Sequence, residues 1–290
     1  MNTIKNKIYS EERALYNQKD VELINCRFEG EEDGESALKE SENIIVNDCY
    51  MDLRYPFWHD TNILIKDSTM TVNSRAPLWY SKNINIKNTI IESVKALREC
   101  SNIEIVNSNI NSPEFSWRNN MIDVKTSSVS GEYAFFESSN ITIENVNFSG
   151  KYSFQYVNNL IIKNSILDTK DAFWHAKNVE VYDSTINGEY LAWYAKNIKF
   201  VRCHIKGTQP ICYSTGIELI DCTMDDADLA FEYSEVNANI NSKLISIKNP
   251  LKGKIIVNDV GEIIKENDKY GGNAEIIIKN KTYPIDNHQQ

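Results

Sequence analysis

Two glutamates and an aspartate–histidine pair are the residues that could carry acid–base chemistry. Glu99 and Glu137 are 38 residues apart, and Asp171 lies four residues before His175. Two carboxyl groups flanking a sugar chain are the machinery of a glycosidase, and a carboxylate beside an imidazole can pass a proton. These four residues are therefore the candidate catalytic groups. The alternatives are structural, because Arg118 between the glutamates is typical of a solvated ion-pair network and a histidine in such a row is usually only hydrogen bonded.

Aromatic residues recur at regular spacing and could bind a ligand. Aromatic faces stack on the C–H faces of sugars, while hydroxyls, imidazoles and carboxylates reach the sugar hydroxyls. An exposed stripe of such rings predicts a binding face for a neutral carbohydrate. The alternative is that the rings cover one another as a structural ladder or are buried in a dimer. The candidate ligand-binding residues are Tyr156, Phe173, His175, Tyr194 and Tyr213.

Other kinds of site lack their signatures. The six cysteines include no Cys-x-x-Cys pair, which favours reduced, buried thiols over a disulfide framework or a zinc site. Cys203 and Cys222 are 19 residues apart and are expected to stack in the core. The sequence has no nucleotide-binding loop, zinc helix or Ser–His–Asp spacing. We therefore expect no metal and no cofactor.

A nineteen-residue repeat spans most of the chain and must position these groups. Each repeat opens with Asn-aliphatic-x-apolar, and positions 2, 4 and 9 are apolar throughout, as expected for short strands. Position 6 is usually Asp or Asn, and position 7 is usually small, which suits a turn followed by an inward site. The repeats begin at Asn43, Asn62, Asn83, Asn102, Met121, Asn140, Asn159, Asn178, Asn197 and Gly216.

Stacked strands without helices predict an all-β, single-stranded parallel β-helix of about 10–12 coils. A right-handed coil is preferred, because the glycine-bearing hexapeptide pattern of left-handed forms is absent. The asparagines at position 1 are expected to form a ladder along the axis. We expect one domain, 1–290. Residues 1–42 would hold an N-terminal cap, with a helical turn at 11–15, and an irregular first coil; 43–235 would hold regular coils, and 236–290 closing strands and a C-terminal cap.

Position 16 holds all five tryptophans, and it follows a phenylalanine-rich position 15. The two positions must face opposite ways on a strand. Because position 18 is mostly small, we expect positions 14, 16 and 18 to face inward and positions 15 and 17 to face outward. Phe173 at position 15 would then be exposed. Arg98 and Gln155, both at position 16, count against this assignment.

Composition and charge exclude several partners. The chain has 31 Lys and Arg against 41 Asp and Glu, so its net charge of -10 repels nucleic acid, anionic lipid and polyuronate chains. No apolar run approaches the ~20 residues of a membrane helix, and the first residues lack the apolar core of a secretory signal. We therefore expect a cytoplasmic protein with no nucleic-acid or membrane partner.

Several phrases resemble a bacterial family of uncharacterised β-helix proteins, a domain of unknown function of about this length. Some members are named hydrogenases, but the scattered cysteines here do not suit a nickel–iron or iron–sulfur site. The resemblance implies a pectin-lyase-like architecture and no established activity. The Asn-Thr-Asp and His-Gly signatures of pectin-degrading relatives are not found together here, and only Asp225-Asp226 is present. The phrases are Glu12-Arg13-Ala14-Leu15, Gly34-Glu35-Ser36-Ala37-Leu38-Lys39-Glu40-Ser41, Tyr55-Pro56-Phe57-Trp58, Asp171-Ala172-Phe173-Trp174, Gly188-Glu189-Tyr190-Leu191 and Leu229-Ala230-Phe231-Glu232-Tyr233-Ser234.

The sequence thus predicts a β-helix that binds a neutral carbohydrate along its aromatic side. If the protein is an enzyme, we expect a carbohydrate-active hydrolase or lyase. The alternative is a non-catalytic scaffold that uses the same side to form a homodimer or to bind another protein.

Overall fold

The chain winds into a parallel β-helix. The computed structural model describes residues 1–30, 34–266 and 272–279. Within these ranges the chain makes about 14 turns of ~19 residues, all of them β. Each strand lies on its counterpart in the next coil, so that Ile103 pairs with Ile84 on one side and with Ile122 on the other. The predicted fold class is confirmed, with more turns than the 10–12 expected.

Most of the strands are short, and a single 3-10 helix, Val72–Ser74, interrupts them in the described ranges. This helix takes up the two extra residues between Asn62 and Asn83. The strands are β1 (Asn2–Lys5), β2 (Ile8–Tyr9), β3 (Lys19–Ile24), β4 (Arg27–Phe28), β5 (Glu42–Asn47), β6 (Tyr50–Met51), β7 (Thr61–Lys66), β8 (Thr69–Met70), β9 (Lys82–Lys87), β10 (Ile90–Glu92), β11 (Ser101–Val106), β12 (Asn109–Asn111), β13 (Asn120–Lys125), β14 (Ser128–Gly131), β15 (Ser139–Glu144), β16 (Asn147–Lys151), β17 (Asn158–Lys163), β18 (Ile166–Lys170), β19 (Lys177–Tyr182), β20 (Thr185–Asn187), β21 (Lys196–Val201), β22 (His204–Lys206), β23 (Thr215–Asp225), β24 (Val236–Lys248), β25 (Lys254–Ile264) and β26 (Glu275–Ile278).

The strands form two long sides. Side A contains the odd-numbered strands up to β23, followed by β24, β25 and β26, and side B contains the even-numbered strands up to β22 and the second half of β23. Positions 2 and 4 of side A and position 9 of side B point inward. In one coil these are Ile103, Ile105 and Ile110, which are all buried. Fully burying such a side chain contributes about 1.5–3 kcal/mol, so the repeated apolar columns form the core.

Small polar side chains complete the backbone hydrogen bonding at two corners of each coil. At position 7, for example, Thr89 N–H donates to Ser108 Oγ at 3.2 Å, and Ser108 N–H donates to Ser127 Oγ at 3.0 Å. Position 18 does the same, as when Asn119 N–H donates to Ser138 Oγ at 3.0 Å. These side chains satisfy buried donors where the chain bends and the strand ladder is broken. The six cysteines are buried and free, as expected, and Cys203 and Cys222 belong to the position 7 column.

The asparagine ladder at position 1 is confirmed. Asn62 Nδ2 donates to Asn43 Oδ1 at 2.8 Å, and Asn102 Nδ2 donates to Asn83 Oδ1 at 2.9 Å. The column has left-handed φ values, 61° at Asn62 and 66° at Gly216, a conformation that Asn and Gly tolerate best. The asparagine excess of the sequence, 35 residues of 290, therefore has a conformational cause as well as a hydrogen-bonding one.

The third side of each coil is a run of turns, and it corrects one prediction. Positions 13, 15 and 17 have left-handed φ values, for example 55° at Asp171, 61° at Phe173 and 55° at His175. Positions 14, 15 and 18 face inward, so the expected outward position of Phe173 is wrong: its side chain is fully buried. The tryptophans at position 16 are half-buried at the surface instead of inside. Strand alternation does not hold through residues of alternating backbone handedness.

Both ends of the chain are coils where caps were expected. β1 pairs with β3 in parallel, so winding begins at Asn2. The helical turn predicted at 11–15 is wrong, because Arg13 and Leu15 have left-handed φ values of 54° and form the same corner as later coils. The strands predicted in the C-terminal part are confirmed within β24, β25 and β26, which continue side A. The predicted C-terminal cap at 280–290 lies outside the described residues.

Candidate functional site

The five tryptophans form part of the rim of the helix and are held there by the backbone. Each indole Nε1–H donates to a carbonyl oxygen of the next coil, as when Trp174 donates to Tyr190 O and Trp193 to Gln209 O, both at 2.8 Å. The rings also stack, with centroids 5.3 Å apart for Trp174 and Trp193. Their polar atom and one face are thus already used within the protein. The other three indoles donate in the same way: Trp58 to Ala76 O, Trp79 to Lys95 O and Trp117 to Tyr133 O.

Beside the tryptophans, position 17 presents a continuous row of rings that we call the tyrosine edge: Tyr156, His175, Tyr194, Tyr213 and Tyr233. The centroids of successive rings are 4.7, 5.1, 5.0 and 5.7 Å apart, and the first four rings are stacked nearly parallel. Tyr156 and Tyr194 are 49% and 47% exposed. The structure therefore brings together four of the five predicted ligand-binding residues, and Phe173 lies in the core beneath them.

The backbone fixes the spacing of this edge. His175 N–H donates to Trp193 O at 2.9 Å, and Tyr194 N–H donates to Cys212 O at 3.1 Å, so each ring is carried on a bond to the next coil. Phe173 N–H donates in the opposite direction, to Ser153 O at 3.0 Å. Below the edge, Phe173 stacks on Phe154 at 5.2 Å in the core. The ring positions are therefore set by the coil-to-coil register.

The tyrosine edge offers hydroxyl groups and ring rims to solvent. The hydroxyls of Tyr156, Tyr194 and Tyr213 form no hydrogen bond with any residue in the described ranges. By contrast, the hydroxyl of Tyr182 donates to Glu180. Partial burial, with the nearby Glu232 charge, raises the pKa of Tyr213, which keeps this phenol protonated and able to donate. The edge is thus a row of unused donors and acceptors about one coil apart.

The predicted pair of catalytic glutamates lies in an ion-pair row. Arg118 Nε is 3.7 Å from Glu99 Oε1, and Arg118 Nη1 is 3.8 Å from Glu137 Oε2. All three side chains are almost half exposed, at 44–47%. An arginine between the two carboxylates occupies the place of a scissile bond, so this arrangement favours a solvated ion-pair network over a catalytic pair.

The predicted Asp171–His175 pair is not brought into contact. Asp171 is buried at position 13, and burial raises its pKa. The ring of His175 instead stacks between Tyr156 and Tyr194 on the surface. Within the described residues, no hydrogen bond or ion pair joins Asp171 to His175. The geometry therefore gives His175 a place in the ring ladder and provides it with no carboxylate partner.

A groove of about 700 Å³ lies on the outer face of side A, beside the tyrosine edge. It runs over the coils from Asn140 to Asn237, and each asparagine of its ladder follows a ring of the edge by three residues. Sequence reasoning found the asparagine column but missed the groove. The available signal was the substitution of Gly216 for asparagine, which interrupts the column. Position 3 adds Thr142, Ile161, Glu180, Lys199 and Glu218 to the floor.

Two further searches of the molecule gave negative findings. In residues 1–30, 34–266 and 272–279, no group of three or more His, Cys, Asp or Glu side chains is arranged to hold a metal ion. None of the helices in the same ranges has the length and apolarity needed to cross a membrane.

Solved structures with some similarity to the chain include three β-rich proteins at low identity. A tailspike protein of E. coli bacteriophage HK620 is 9% identical, with a TM-score of 0.37, over 94% of this chain and 72% of that one. The catalytic domain of a GH87 alpha-1,3-glucanase in complex with tetrasaccharides is 10% identical, with a TM-score of 0.36, over 95% and 64%. The surface protein and adhesin PfbA of Streptococcus pneumoniae is 11% identical, with a TM-score of 0.33, over 95% and 91%. Scores this low carry no argument about function.

The sequence comparison is more specific at the level of the family. No curated protein matches the chain. A family model described as "Protein of unknown function (DUF3737)" matches residues 2–278, which includes every strand of the β-helix. The chain therefore belongs to the DUF3737 family.

Proposed function

We propose that the protein binds a neutral carbohydrate chain along the tyrosine edge. The observation that carries this proposal is the row of phenol hydroxyls at Tyr156, Tyr194 and Tyr213, which are exposed, regularly spaced and unused within the described part of the molecule. A linear sugar chain presents hydroxyls at a regular spacing too, so such a chain lying along the axis matches this row. The net charge of -10 disfavours a polyuronate.

The geometry favours contact through ring edges and hydroxyls. Face-to-face stacking of sugars on the rings was the sequence-based expectation, but neighbouring rings 4.7–5.1 Å apart occupy those faces. The rigid ladder supports binding in another way, because its side chains are already ordered and lose little entropy when a ligand is bound. Catalysis remains a separate proposal with Glu99, Glu137, Asp171 and His175 as its candidates.

The test removes hydroxyl groups and keeps the rings. A triple variant, Tyr156→Phe, Tyr194→Phe and Tyr213→Phe, preserves the stacking but deletes the three donors. Each hydrogen bond is worth about 1 kcal/mol, so we expect affinity for a glycan to fall roughly 100-fold. The measurement is calorimetric titration with the strongest ligand from an array of neutral glycans.

Tyr182→Phe is the matched control, because it deletes a tyrosine hydroxyl that is bound to Glu180 away from the edge. This control should bind the glycan as the unmodified protein does. Unchanged affinity in the triple variant, or no binding to any neutral glycan by the unmodified protein, would rule out the proposal. The second candidate, a self-associating scaffold, is favoured by the exposure of Tyr156 and Tyr194, since tyrosine is enriched at protein interfaces.

A further inference from the structure

The asparagine ladder ends in the side A groove at a gap. Asn197 Nδ2 donates to Asn178 Oδ1 at 3.2 Å, but the next member of the column is Gly216, which has no side chain. The register that pairs Ile217 with Val236 makes Glu235 the following member. Two coil spacings, about 10 Å, therefore separate Asn197 from Glu235 along the column. We call this interval the Gly216 gap.

Two acceptors face the Gly216 gap without a donor. An added Cβ at Gly216 would lie 2.7 Å from Asn197 Oδ1, so this oxygen points at the place of the missing side chain. In the part of the chain that the structure describes, Asn197 Oδ1 accepts no hydrogen bond and the Glu235 carboxylate forms no ion pair. Both residues line the groove. Only a donor group can satisfy both oxygens, and a cation does so best beside a carboxylate.

The lysines around the gap leave Glu235 available. Lys199 is 3.8 Å from Glu218. Lys196 precedes Asn197, and Lys252 lies one coil beyond Glu235, where the two are joined as a backbone bridge. Neither Lys196 nor Lys252 forms an ion pair with any described residue. The net charge of -10 also favours a positively charged ligand over a negatively charged one.

We propose that the Gly216 gap is a subsite for a primary amino group, so that the glycan bound by this protein contains amino sugars with a free amine. This inference rests on the proposed carbohydrate function and names its ligand class. An ammonium carries three N–H donors and a positive charge, and it would bond Asn197 Oδ1 and the Glu235 carboxylate together. Gly216 follows Tyr213 by three residues, so one sugar chain reaches both the gap and the tyrosine edge.

The experiment compares two probes that differ at the amine. A glucosamine oligosaccharide and its fully N-acetylated counterpart of equal length are titrated calorimetrically at mildly acidic pH and low salt. We expect the unmodified protein to bind the free amine at least tenfold more tightly. Two variants should abolish that preference: Glu235→Gln, which removes the charge, and Gly216→Asn, which fills the gap with an amide at a φ of 66° that asparagine tolerates.

Glu144→Gln, which removes a side A carboxylate outside the groove, is the control and should retain the preference. Both test variants should retain the affinity for the acetylated chain, which shows that they are folded. Equal affinity of the unmodified protein for the two probes, weakened by the triple tyrosine variant, would overturn the subsite and leave the proposed function standing. A preference that survives in both test variants would also overturn the subsite. Failure of either probe to bind at all would count against the proposed function itself.

Discussion

At the scale of single residues, Asp60 has the least favourable surroundings in the core. It occupies position 18, where each side chain accepts an N–H from the preceding coil, and Asp60 Oδ1 duly accepts Ser41 N–H at 2.8 Å. Other members also donate to a carbonyl: Ser81 Oγ to Phe57 O at 2.7 Å and Asn119 Nδ2 to Leu97 O at 2.9 Å. An ionised aspartate has no donor, and Asp60 Oδ2 is buried without a partner in the described structure. The column therefore suits the protonated acid.

The pKa of Asp60 agrees with this geometry. Burial raises it from 3.8 to about 8, the charge of Glu40 adds to the rise, and the hydrogen bond from Ser41 opposes it. A group whose pKa is higher in the folded protein contributes its full stability below the unfolded pKa, about 4, and loses it as the pH rises through about 8. The protein should therefore lose stability between these pH values because of Asp60.

Asp60→Asn should remove this loss. Asparagine keeps the acceptor for Ser41 N–H and supplies the donor that Asn119 uses in the same column. At about 1.4 kcal/mol per pH unit, the gain in unfolding free energy at pH 8 should reach several kcal/mol, with roughly 5 kcal/mol as an upper value, and should be small at pH 4. Denaturant unfolding at both pH values measures it.

The control for this prediction is Asp67→Asn, at an exposed carboxylate that accepts a hydrogen bond from Asn88. This change should shift stability little, and equally at both pH values. An Asp60→Asn gain that is independent of pH would show that Asp60 does not carry its proton in the folded state. A loss of stability at pH 8 would contradict the argument altogether.

At the scale of the repeating element, the columns were readable from the sequence because coil-to-coil pairing needs equivalent residues in register. Ile44, Ile63 and Ile84 stack as the repeat predicted. The corner at positions 13–17 was not readable, because its left-handed residues include Phe173 and Tyr194, whose types give no sign of that conformation. Period-2 reasoning was therefore applied where no strand exists.

The number of coils was underestimated for a related reason. The first coils are 23 residues apart, as the pairing of Val21 with Ile44 shows, while later ones shorten to 17, as in the pairing of Ala238 with Ile255. A search at fixed spacing loses the register at both ends. The tyrosine edge was recognised as a ring column, but which column faces solvent depended on the unreadable corner.

Met121 provides a test of the asparagine ladder as an element. It occupies position 1 with a left-handed φ of 60°, is 54% exposed, and interrupts the ladder between Asn102 and Asn140. In its place, Asn140 Nδ2 donates to Asn120 Oδ1 at 2.7 Å. Met121→Asn should add an amide bond to Asn102 and ease the backbone strain, which together should stabilise the protein by about 1–2 kcal/mol.

Two control variants separate the causes. Met121→Gly relieves the backbone and adds no amide, while Met121→Ala does neither, so the unfolding free energies should rank Asn above Gly and Gly above Ala. Thermal unfolding of the three proteins measures this order. If Met121→Gly equals Met121→Asn, the side-chain amides of the ladder contribute nothing to stability.

At the scale of the whole molecule, the position 17 rim is divided into segments of different chemistry. His59 and Tyr80 stack at 4.9 Å near one end, and the charged Glu99–Arg118–Glu137 row follows. The five rings of the tyrosine edge occupy the C-terminal half, in the same coils as the side A groove. A glycan site built from both features is therefore confined to about half the length of the helix.

The size of the tyrosine edge decides between ligand binding and self-association. Its most exposed rings, Tyr156 and Tyr194, show 49% and 47% of their surface. Since a ring side chain can bury about 150–250 Å², five half-exposed rings offer roughly 500 Å² per copy. A stable interface needs about 800 Å² per partner. The edge alone is therefore too small to hold a dimer together.

We accordingly expect the full chain to sediment as a monomer of 33.3 kDa at tens of micromolar protein. Tyr194→Glu should leave that sedimentation unchanged while weakening glycan binding, because it removes a phenol from the row and puts a charge against the ligand. Lys206→Glu, on side B, adds the same charge away from the edge and should affect neither property. A dimer that Tyr194→Glu dissociates and Lys206→Glu does not would instead assign the edge to a protein partner, since an interface through those rings would then be larger than their exposed area allows.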